Sequence, residues 1–175
     1  MRDKRELSRI SCLIAEDNQH MRAILRSVLS GFGMRSIFEA SDGAEALELV
    51  VDRRPDIVLC DWAMNLFGGN EFLHVLRGDH NPVVSTTPVL VVTAHANRKT
   101  ILEAIAIGIH GFVAKPISPA ILYRHINEIL DRQEIYGRSK GICEPGRERP
   151  QRRLDGPGMP PAVAAGEAET GLALL

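Results

Sequence analysis

Residues 56–61 read DIVLCD, an apolar run enclosed by two aspartates. A continuous apolar run of this length is typical of a strand buried on both faces of a parallel sheet. Asp61 directly follows the run, so this strand would end in a carboxylate. Runs of the same kind recur on both sides of it along the chain, and together they predict the fold class.

Four further strands are predicted, at residues 12–15, 36–39, 88–93 and 111–114. Between them, apolar residues recur at the spacing of three and four positions that is typical of helices. We expect the first helix to pack through Met21, Ile24, Leu25, Val28 and Leu29, and the second, capped by Asp42, to bury Leu47, Val50 and Val51.

Three more helices follow the same pattern of start and stop signals. The third is predicted to end at Gly78, and the fourth to run from the cap Asn97 to a stop at Gly108. Ser118 and Pro119 are a suitable cap and first residue for the last helix. Five β-α units with apolar strands predict a doubly wound α/β domain, in which helices cover both faces of a five-stranded parallel sheet.

Composition divides the chain into three parts. We expect an N-terminal extension over 1–10, one α/β domain over 11–136 and a disordered, low-complexity tail over 137–175, which is rich in Gly, Pro, Ala, Arg and Glu. The stretch 79–87 is interpreted as a tolerated surface insertion. The formal net charge of −1 and the absence of a long apolar run favour neither nucleic acid nor membrane insertion. Scattered cysteines without metal spacing indicate a reducing, cytoplasmic setting.

Polar residues follow the carboxyl ends of four predicted strands, which a parallel sheet brings to one rim. They are Glu16 with Asp17, then Asp61, Thr93 and Lys115. Two carboxylates about 4 Å apart repel each other by roughly 1 kcal/mol in water and about 4 kcal/mol at an effective dielectric near 20. A cation would relieve this repulsion, and ligands that are all oxygen suit Mg²⁺ better than zinc. Carboxylates also act as nucleophiles towards phosphoryl groups, and a hydroxyl and an ammonium group would complete such a site.

This ordered set resembles the signature of two-component response-regulator receiver domains, in particular the single-domain CheY-like members. The resemblance covers roughly residues 11–132 and implies the flavodoxin-like strand order 2-1-3-4-5. It rests on Glu16-Asp17, on Asp61 followed by Met64 and Gly69, on Thr93-Ala94 and on Lys115-Pro116.

The resemblance implies a role for each residue at the rim. Asp61 would accept the phosphoryl group, while Asp17, Glu16 and the backbone carbonyl of Ala63 would join it around Mg²⁺. Thr93 and Lys115 would contact the phosphoryl oxygens, with a cis peptide bond before Pro116, and Thr93 and Phe112 would form the switch. Met64 would fill space beneath the loop.

The sequence departs from the family pattern in the loop after Asp61. Asn65 stands where the family usually has proline, and Gly68 where it often has aspartate, so we expect altered loop mobility. Ala63 and His95 occupy positions that tune dephosphorylation in the family. A bulky His95 beside a small Ala63 would screen the attacking water and lengthen the phosphate lifetime.

The implied function is a stand-alone signalling switch rather than an enzyme. A sensor histidine kinase or a histidine phosphotransferase would supply the phosphoryl group, and an unidentified protein would be the downstream target. Whether phosphorylation drives homodimerisation stays open, as does the alternative of a pseudo-receiver scaffold that works without phosphorylation. An aspartyl phosphatase is disfavoured because Ala63 replaces the expected second acid, and a flavin-binding module because acids follow the first strand.

Overall fold

The computed structural model of the protein describes residues 7–137. Its sheet contains five parallel strands, β1 (Ser11–Ala15), β2 (Ser36–Ala40), β3 (Ile57–Cys60), β4 (Val89–Thr93) and β5 (Gly111–Ala114). They lie in the order β2-β1-β3-β4-β5, which confirms the predicted α/β fold and its strand order. The order reverses between β1 and β3, the point at which such sheets bind their ligands.

Within residues 7–137, six helices connect and cover the strands. They are α1 (Gln19–Gly31), α2 (Gly43–Arg53), α3 (Gly69–Arg77), α4 (Pro82–Ser85), α5 (Arg98–Ile107) and α6 (Pro119–Gly137). A short 3₁₀ turn, Leu7–Arg9, precedes β1, and its Leu7 is buried in the core. Of the tail predicted from residue 137 onward, only Gly137 is described, as the last residue of α6, and residues 138–175 lie outside the described part of the chain.

Two apolar clusters lie on opposite faces of the sheet, since side chains alternate between the faces along each strand. On one face, α1 and α6 pack against strand residues such as Ile14 and Leu59. On the other face, α2, α3 and α4 pack against Leu13, Val58 and Val91. The four core residues predicted for the last helix are all buried, namely Leu122, Ile126, Ile129 and Leu130.

Side-chain caps begin the helices at the predicted positions. The Asp42 carboxylate accepts the N–H groups of Ala44 and Glu45, and the Asn97 side chain accepts the N–H of Thr100. Each cap satisfies backbone donors that have no partner within the helix. Gly78 and Gly108 end α3 and α5 as predicted, and Gly108 adopts a left-handed conformation with φ 106° that favours glycine.

Two of the predicted core residues are exposed instead. Ile24 on α1 is 53% exposed and Val51 on α2 is 49% exposed, so both predictions were wrong. Both residues belong to an apolar arc that is wider than the strip of helix touching the sheet. Leu25 and Val50, one position away from them, are the residues that the rotation of each helix turns inward.

The stretch interpreted as a surface insertion is ordered and packed. Residues 82–85 form α4, which Asn81 caps. Val84 is buried on the face of the sheet that α2 and α3 cover. The Arg77 guanidinium donates to the carbonyls of Ser85, Thr87 and Gly108 at 2.7–3.0 Å. This segment therefore belongs to the folded domain and is tied to the end of α5.

Two further predictions concern membranes and cysteines. Within residues 7–137, no helix combines the length and the apolar character needed to cross a bilayer. Cys12 and Cys60 are buried free thiols, as expected. Burial raises the pKa of Cys12 to about 12 and also raises that of Cys60, so both thiols stay protonated at neutral pH. Cys143 lies outside the described residues.

Candidate functional site

The register of the sheet brings the polar strand ends together. Ala15 pairs with Cys60 across β1 and β3, and Thr93 pairs with Ala114 across β4 and β5. The backbone N–H of Asp61 donates to the Ala15 carbonyl at 2.9 Å, which continues the ladder past the end of β3. The residues that follow these ends therefore meet at one rim, at the switch point of the sheet.

Three carboxylates converge at this rim. One oxygen from each of Glu16, Asp17 and Asp61 lies within 4.8 Å of the others. Glu16 is 2% exposed and Asp61 is 7% exposed, whereas Asp17 is half-buried. Buried like charges at this separation repel strongly, so the cluster needs a positive partner.

Lys115 supplies one positive partner from within the chain. Its Nζ donates to Asp61 Oδ2 at 2.7 Å and to Glu16 Oε2 at 2.8 Å. Burial alone would lower the pKa of Lys115, but the hydrogen bonds to Asp61 and Glu16 outweigh burial and raise it. The ammonium group therefore stays charged and bridges the two buried acids.

The surroundings of the Glu16 carboxyl disfavour its charged form. Burial raises its pKa, the charge of Asp61 adds to the effect, and the hydrogen bond and charge of Lys115 oppose it. The Arg22 guanidinium donates to the Glu16 backbone carbonyl at 2.6 Å, which fixes the β1–α1 loop rather than the carboxylate. The site is thus built to hold negative charge that its own residues neutralise only in part.

Thr93 lies at the end of β4 with no exposed surface. Its Oγ1 accepts the backbone N–H of His95 at 3.1 Å, so the hydroxyl proton remains available to a ligand. The backbone N–H of Ala63 donates to Asp61 Oδ1 at 3.2 Å. Ala63 and His95 are both exposed, so water reaches the positions predicted to tune the phosphate lifetime.

Phe112 lies on β5, and Pro116 follows that strand. Phe112 pairs with Val91 and is partly buried in the apolar cluster on the face that α2 and α3 cover. Thr93 is two positions after Val91 on β4, so the side chains of Phe112 and Thr93 lie on the same face of the sheet. The peptide bond between Lys115 and Pro116 is cis.

The loop after Asp61 is packed closely against the site. Met64 is buried, which agrees with its predicted role as a filler beneath this loop. A Cβ atom on Gly69 would collide with the Asp61 carbonyl oxygen and with Trp62 Cα, 2.8 Å away. The start of α3 can therefore approach the acidic residue only because this position is glycine.

Asn65 contacts the site in a way that the sequence did not indicate. Its backbone N–H and its side-chain Nδ2 donate to Asp17 Oδ2 at 3.0 and 2.6 Å. The departure from the family pattern at this position was interpreted only as a change in loop mobility. The two residues are 48 positions apart, and no periodicity or spacing rule links them.

The donor set fits Mg²⁺. All side-chain ligands on offer are carboxylate oxygens, and the half-exposed Asp17 leaves one side of the cluster open to the waters that Mg²⁺ retains. Within the described residues the cluster contains neither thiolate nor imidazole, the ligands that favour zinc.

Comparison with known proteins agrees with the fold. Residues 12–127 match the response regulator receiver domain. The chemotaxis protein CheY of Pseudomonas aeruginosa is 35% identical over 120 residues, which are 69% of this chain and 95% of that protein. CheY-3 of Vibrio cholerae is 34% identical over 69% of this chain and 91% of its own. Among solved structures, CheY4 of Vibrio cholerae superimposes with a TM-score of 0.63 at 26% identity and covers 69% of this chain and 98% of its own.

The chain therefore belongs to the response regulator receiver family, the phosphorylation-dependent signalling domains of two-component systems. Within that family it is CheY-like. Such domains are signalling switches rather than conventional enzymes, and they take phosphoryl groups from kinases or phosphotransferases and act on downstream targets.

Proposed function

We propose that this protein accepts a phosphoryl group on Asp61 and signals by changing its protein partner. The observation that carries the proposal is the bridge of Lys115 between Asp61 and Glu16, inside a cluster of three carboxylates. The ammonium of Lys115 lies against the reactive carboxylate, where it can also reach the oxygens of an incoming phosphoryl group.

In the proposed reaction, a carboxylate oxygen of Asp61 attacks the phosphorus of a partner's phosphohistidine. The N–P bond breaks, the imidazole leaves with the bonding electrons, and an aspartyl phosphate remains on the chain. The Lys115 ammonium group, already next to Asp61, would donate to the phosphoryl oxygens, and the Thr93 hydroxyl would donate to one of them. These contacts strengthen as charge builds on the transferring group, which is how they accelerate transfer.

Glu16, Asp17, Asp61 and the backbone carbonyl of Ala63 would hold the Mg²⁺ ion. When bound, Mg²⁺ supplies positive charge against the equatorial phosphoryl oxygens. Asp17 and Asp61 would contribute directly, and Glu16, which Lys115 already holds, would act mostly through water. The same arrangement supports slow autodephosphorylation, with Ala63 and His95 at the entrance for water.

Phosphorylation would be read out through Thr93 and Phe112. Movement of the Thr93 hydroxyl towards a phosphoryl group would open space for Phe112 on the same face of the sheet, and the balance between two arrangements would shift. The proposed readout surface comprises α5, β5 and α6. Exposed apolar side chains lie on these helices, with Leu102 at 55%, Ile105 at 58% and Ile121 at 43%, and these suit a protein partner.

Further parts of the proposal concern organisation and setting. The receiver domain spans 11–136, after an extension over 1–10 and before a low-complexity tail over 137–175. The buried free thiols of Cys12 and Cys60 agree with a reducing cytoplasm. A sensor histidine kinase or a histidine phosphotransferase would be the upstream partner, and homodimerisation on phosphorylation is one form that the output could take.

Incubation with Mg²⁺ and acetyl phosphate tests the proposal directly. Wild-type protein should gain the mass of one phosphoryl group, and Asp61→Asn should gain none. Asp56→Asn is the matched control. Asp56 accepts hydrogen bonds from Ser11 at the opposite end of β3, so the variant should be labelled as wild type is. If wild type stays unlabelled while another receiver is labelled in the same mixture, the pseudo-receiver scaffold is the better description.

A further inference from the structure

Two hydrogen bonds join the loop after β3 to an acidic residue after β1. Asn65 donates its backbone N–H and its side-chain Nδ2 to the same atom, Asp17 Oδ2, at 3.0 and 2.6 Å. Both donors come from one residue, so the Asp17 carboxylate is held in a single orientation. Two converging donors to one oxygen also offset part of its negative charge.

The contact uses only one of the two Asp17 oxygens. In the part of the chain that the structure describes, the hydrogen bonds of the Asp17 side chain all end on Oδ2. A carboxylate has two oxygens, and Mg²⁺ commonly takes one oxygen from each carboxylate together with several waters. Oδ1 is therefore left for a cation while Oδ2 is occupied.

Asp17 needs such a restraint more than its neighbours do. Lys115 holds Glu16 and Asp61, and both are nearly inaccessible to solvent. Asp17 is half-buried at the edge of the cluster, where repulsion from the other two carboxylates would turn an unrestrained side chain towards water. A cation would then have to draw it back and order it, which weakens binding.

We propose that Asn65 is a positioning residue for the metal site, which holds Asp17 within the carboxylate cluster so that Oδ1 is presented to a divalent cation. This inference rests on the proposed Mg²⁺ site. Residues that orient metal ligands in this way typically change metal affinity by about 10-fold to 100-fold when removed. The backbone N–H survives in a side-chain substitution, so the lower end of that range is expected.

The test is Mg²⁺ binding to the full chain without any phosphoryl donor. Calorimetric titration with MgCl₂, checked by the fluorescence of Trp62, the single tryptophan and the neighbour of Asp61, gives the dissociation constant. Asn65→Ala should weaken Mg²⁺ binding by about 10-fold. Leu66→Ala is the matched control, because Leu66 is the next residue in the same loop and is 99% exposed. It should bind as wild type does.

Two further measurements separate positioning from general damage. Melting in EDTA should show Asn65→Ala to be folded, with a midpoint close to that of Leu66→Ala. In nitrogen-15 spectra of the metal-free protein, Asp17→Ala should shift both the backbone and the side-chain amide resonances of Asn65. An Asn65→Ala variant that binds Mg²⁺ as tightly as wild type, or more tightly, overturns the inference, and the latter would mean that Asn65 competes with the cation.

The proposed metal site has its own outcome in the same experiment. If Asp17→Ala removes Mg²⁺ binding and Asn65→Ala changes nothing, the positioning role alone fails. If wild type and Asp17→Ala show the same weak response to Mg²⁺, the metal site itself is wrong, and the positioning role fails with it.

Discussion

The ammonium group of Lys115 forms ion pairs with two buried carboxylates at the rim of the sheet. Lys115 lies 2.7 Å from Asp61 and 2.8 Å from Glu16, and its own side chain is only 12% exposed. Removing one partner of such a buried set leaves an uncompensated charge, which is far more costly than losing a surface ion pair. Lys115 thus stabilises the two buried acids, and in the proposed reaction the same ammonium group would contact the phosphoryl oxygens.

His95 is expected to lengthen the lifetime of the aspartyl phosphate. Its backbone N–H is fixed on Thr93 Oγ1 and the residue is exposed next to the end of β4, so we expect its ring to hinder the approach of water to Asp61. His95→Ala should shorten the half-life by about twofold to fivefold, or ~0.5–1 kcal/mol of barrier. Phosphate release after removal of the donor measures it.

The exposed Lys99 on α5 provides a control for this prediction. Lys99 forms a surface pair with Glu103 and is 86% exposed, so Lys99→Ala should leave the half-life unchanged. An unchanged or longer half-life in His95→Ala would show that the ring does not screen water.

His110 is expected to make the fold sensitive to acid. Burial, with Arg77 and Arg132 nearby, lowers the pKa of His110 to about 4, and its Nδ1 accepts the Val89 N–H at 3.3 Å. The unfolded chain, with an ordinary histidine pKa near 6.5, binds the proton more readily than the folded chain. The free energy of unfolding should therefore fall as pH drops from about 6.5 to 4, by up to about 3 kcal/mol.

Urea unfolding at a series of pH values tests this prediction. His110→Asn keeps an acceptor near Val89 and removes the titrating ring, so it should unfold with a shallower pH dependence between pH 6.5 and 4. His20→Asn is the control, because His20 is exposed on α1. Parallel profiles for wild type and His110→Asn would show that other groups cause the acid sensitivity.

At the scale of the elements, α3 depends on a glycine to approach the acidic loop. Any Cβ at Gly69 meets backbone atoms of Asp61 and Trp62 rather than a flexible side chain, so relief requires moving the loop. Gly69→Ala should lower the free energy of unfolding by about 1–3 kcal/mol. The same movement should weaken Mg²⁺ binding.

A second glycine gives the control. A Cβ at Gly31, the last residue of α1, meets nothing within 4 Å. Gly31→Ala should be neutral or stabilising by up to about 1 kcal/mol, because alanine favours the helix. Chemical denaturation compares the two variants, and equal effects would refute the argument from close approach.

For the whole molecule, Mg²⁺ should act as a stabilising ligand. The metal-free fold holds three carboxylates within 4.8 Å, and a bound cation removes their repulsion. At a Mg²⁺ concentration 100 times the dissociation constant, stability should rise by about 2.7 kcal/mol. For a domain of this size that corresponds to an increase in melting temperature of roughly 10 °C.

Melting curves in EDTA and in increasing MgCl₂ measure this effect, with NaCl at equal ionic strength as the control for screening. Asp17→Asn should flatten the response to Mg²⁺. A melting temperature that rises as much in NaCl as in MgCl₂ would mean that the cluster binds no specific cation.

The sequence by itself predicted the five strands, five of the six described helices and most of the rim, whereas α4 was missed and the strand order came from the family resemblance. Apolar runs, helical spacing and capping residues such as Asp42 are local signals, and the parallel topology then places Asp61 and Lys115 together. The rotation of each helix about its axis is not encoded in local signals, because packing against the sheet selects which part of an apolar arc is buried. For this reason the predicted burial of Ile24 and Val51 was wrong.

Contacts between distant loops were decided by the tertiary structure alone. Asn65 and Asp17 are 48 residues apart on two irregular loops, whose paths no periodicity describes. Asn65 is recognisable in the sequence as a departure from the family pattern, but its hydrogen-bond partner is not. Only folding brings its two donors onto Asp17, because side-chain hydrogen bonds depend on the distance between atoms and not on the separation of residues along the chain.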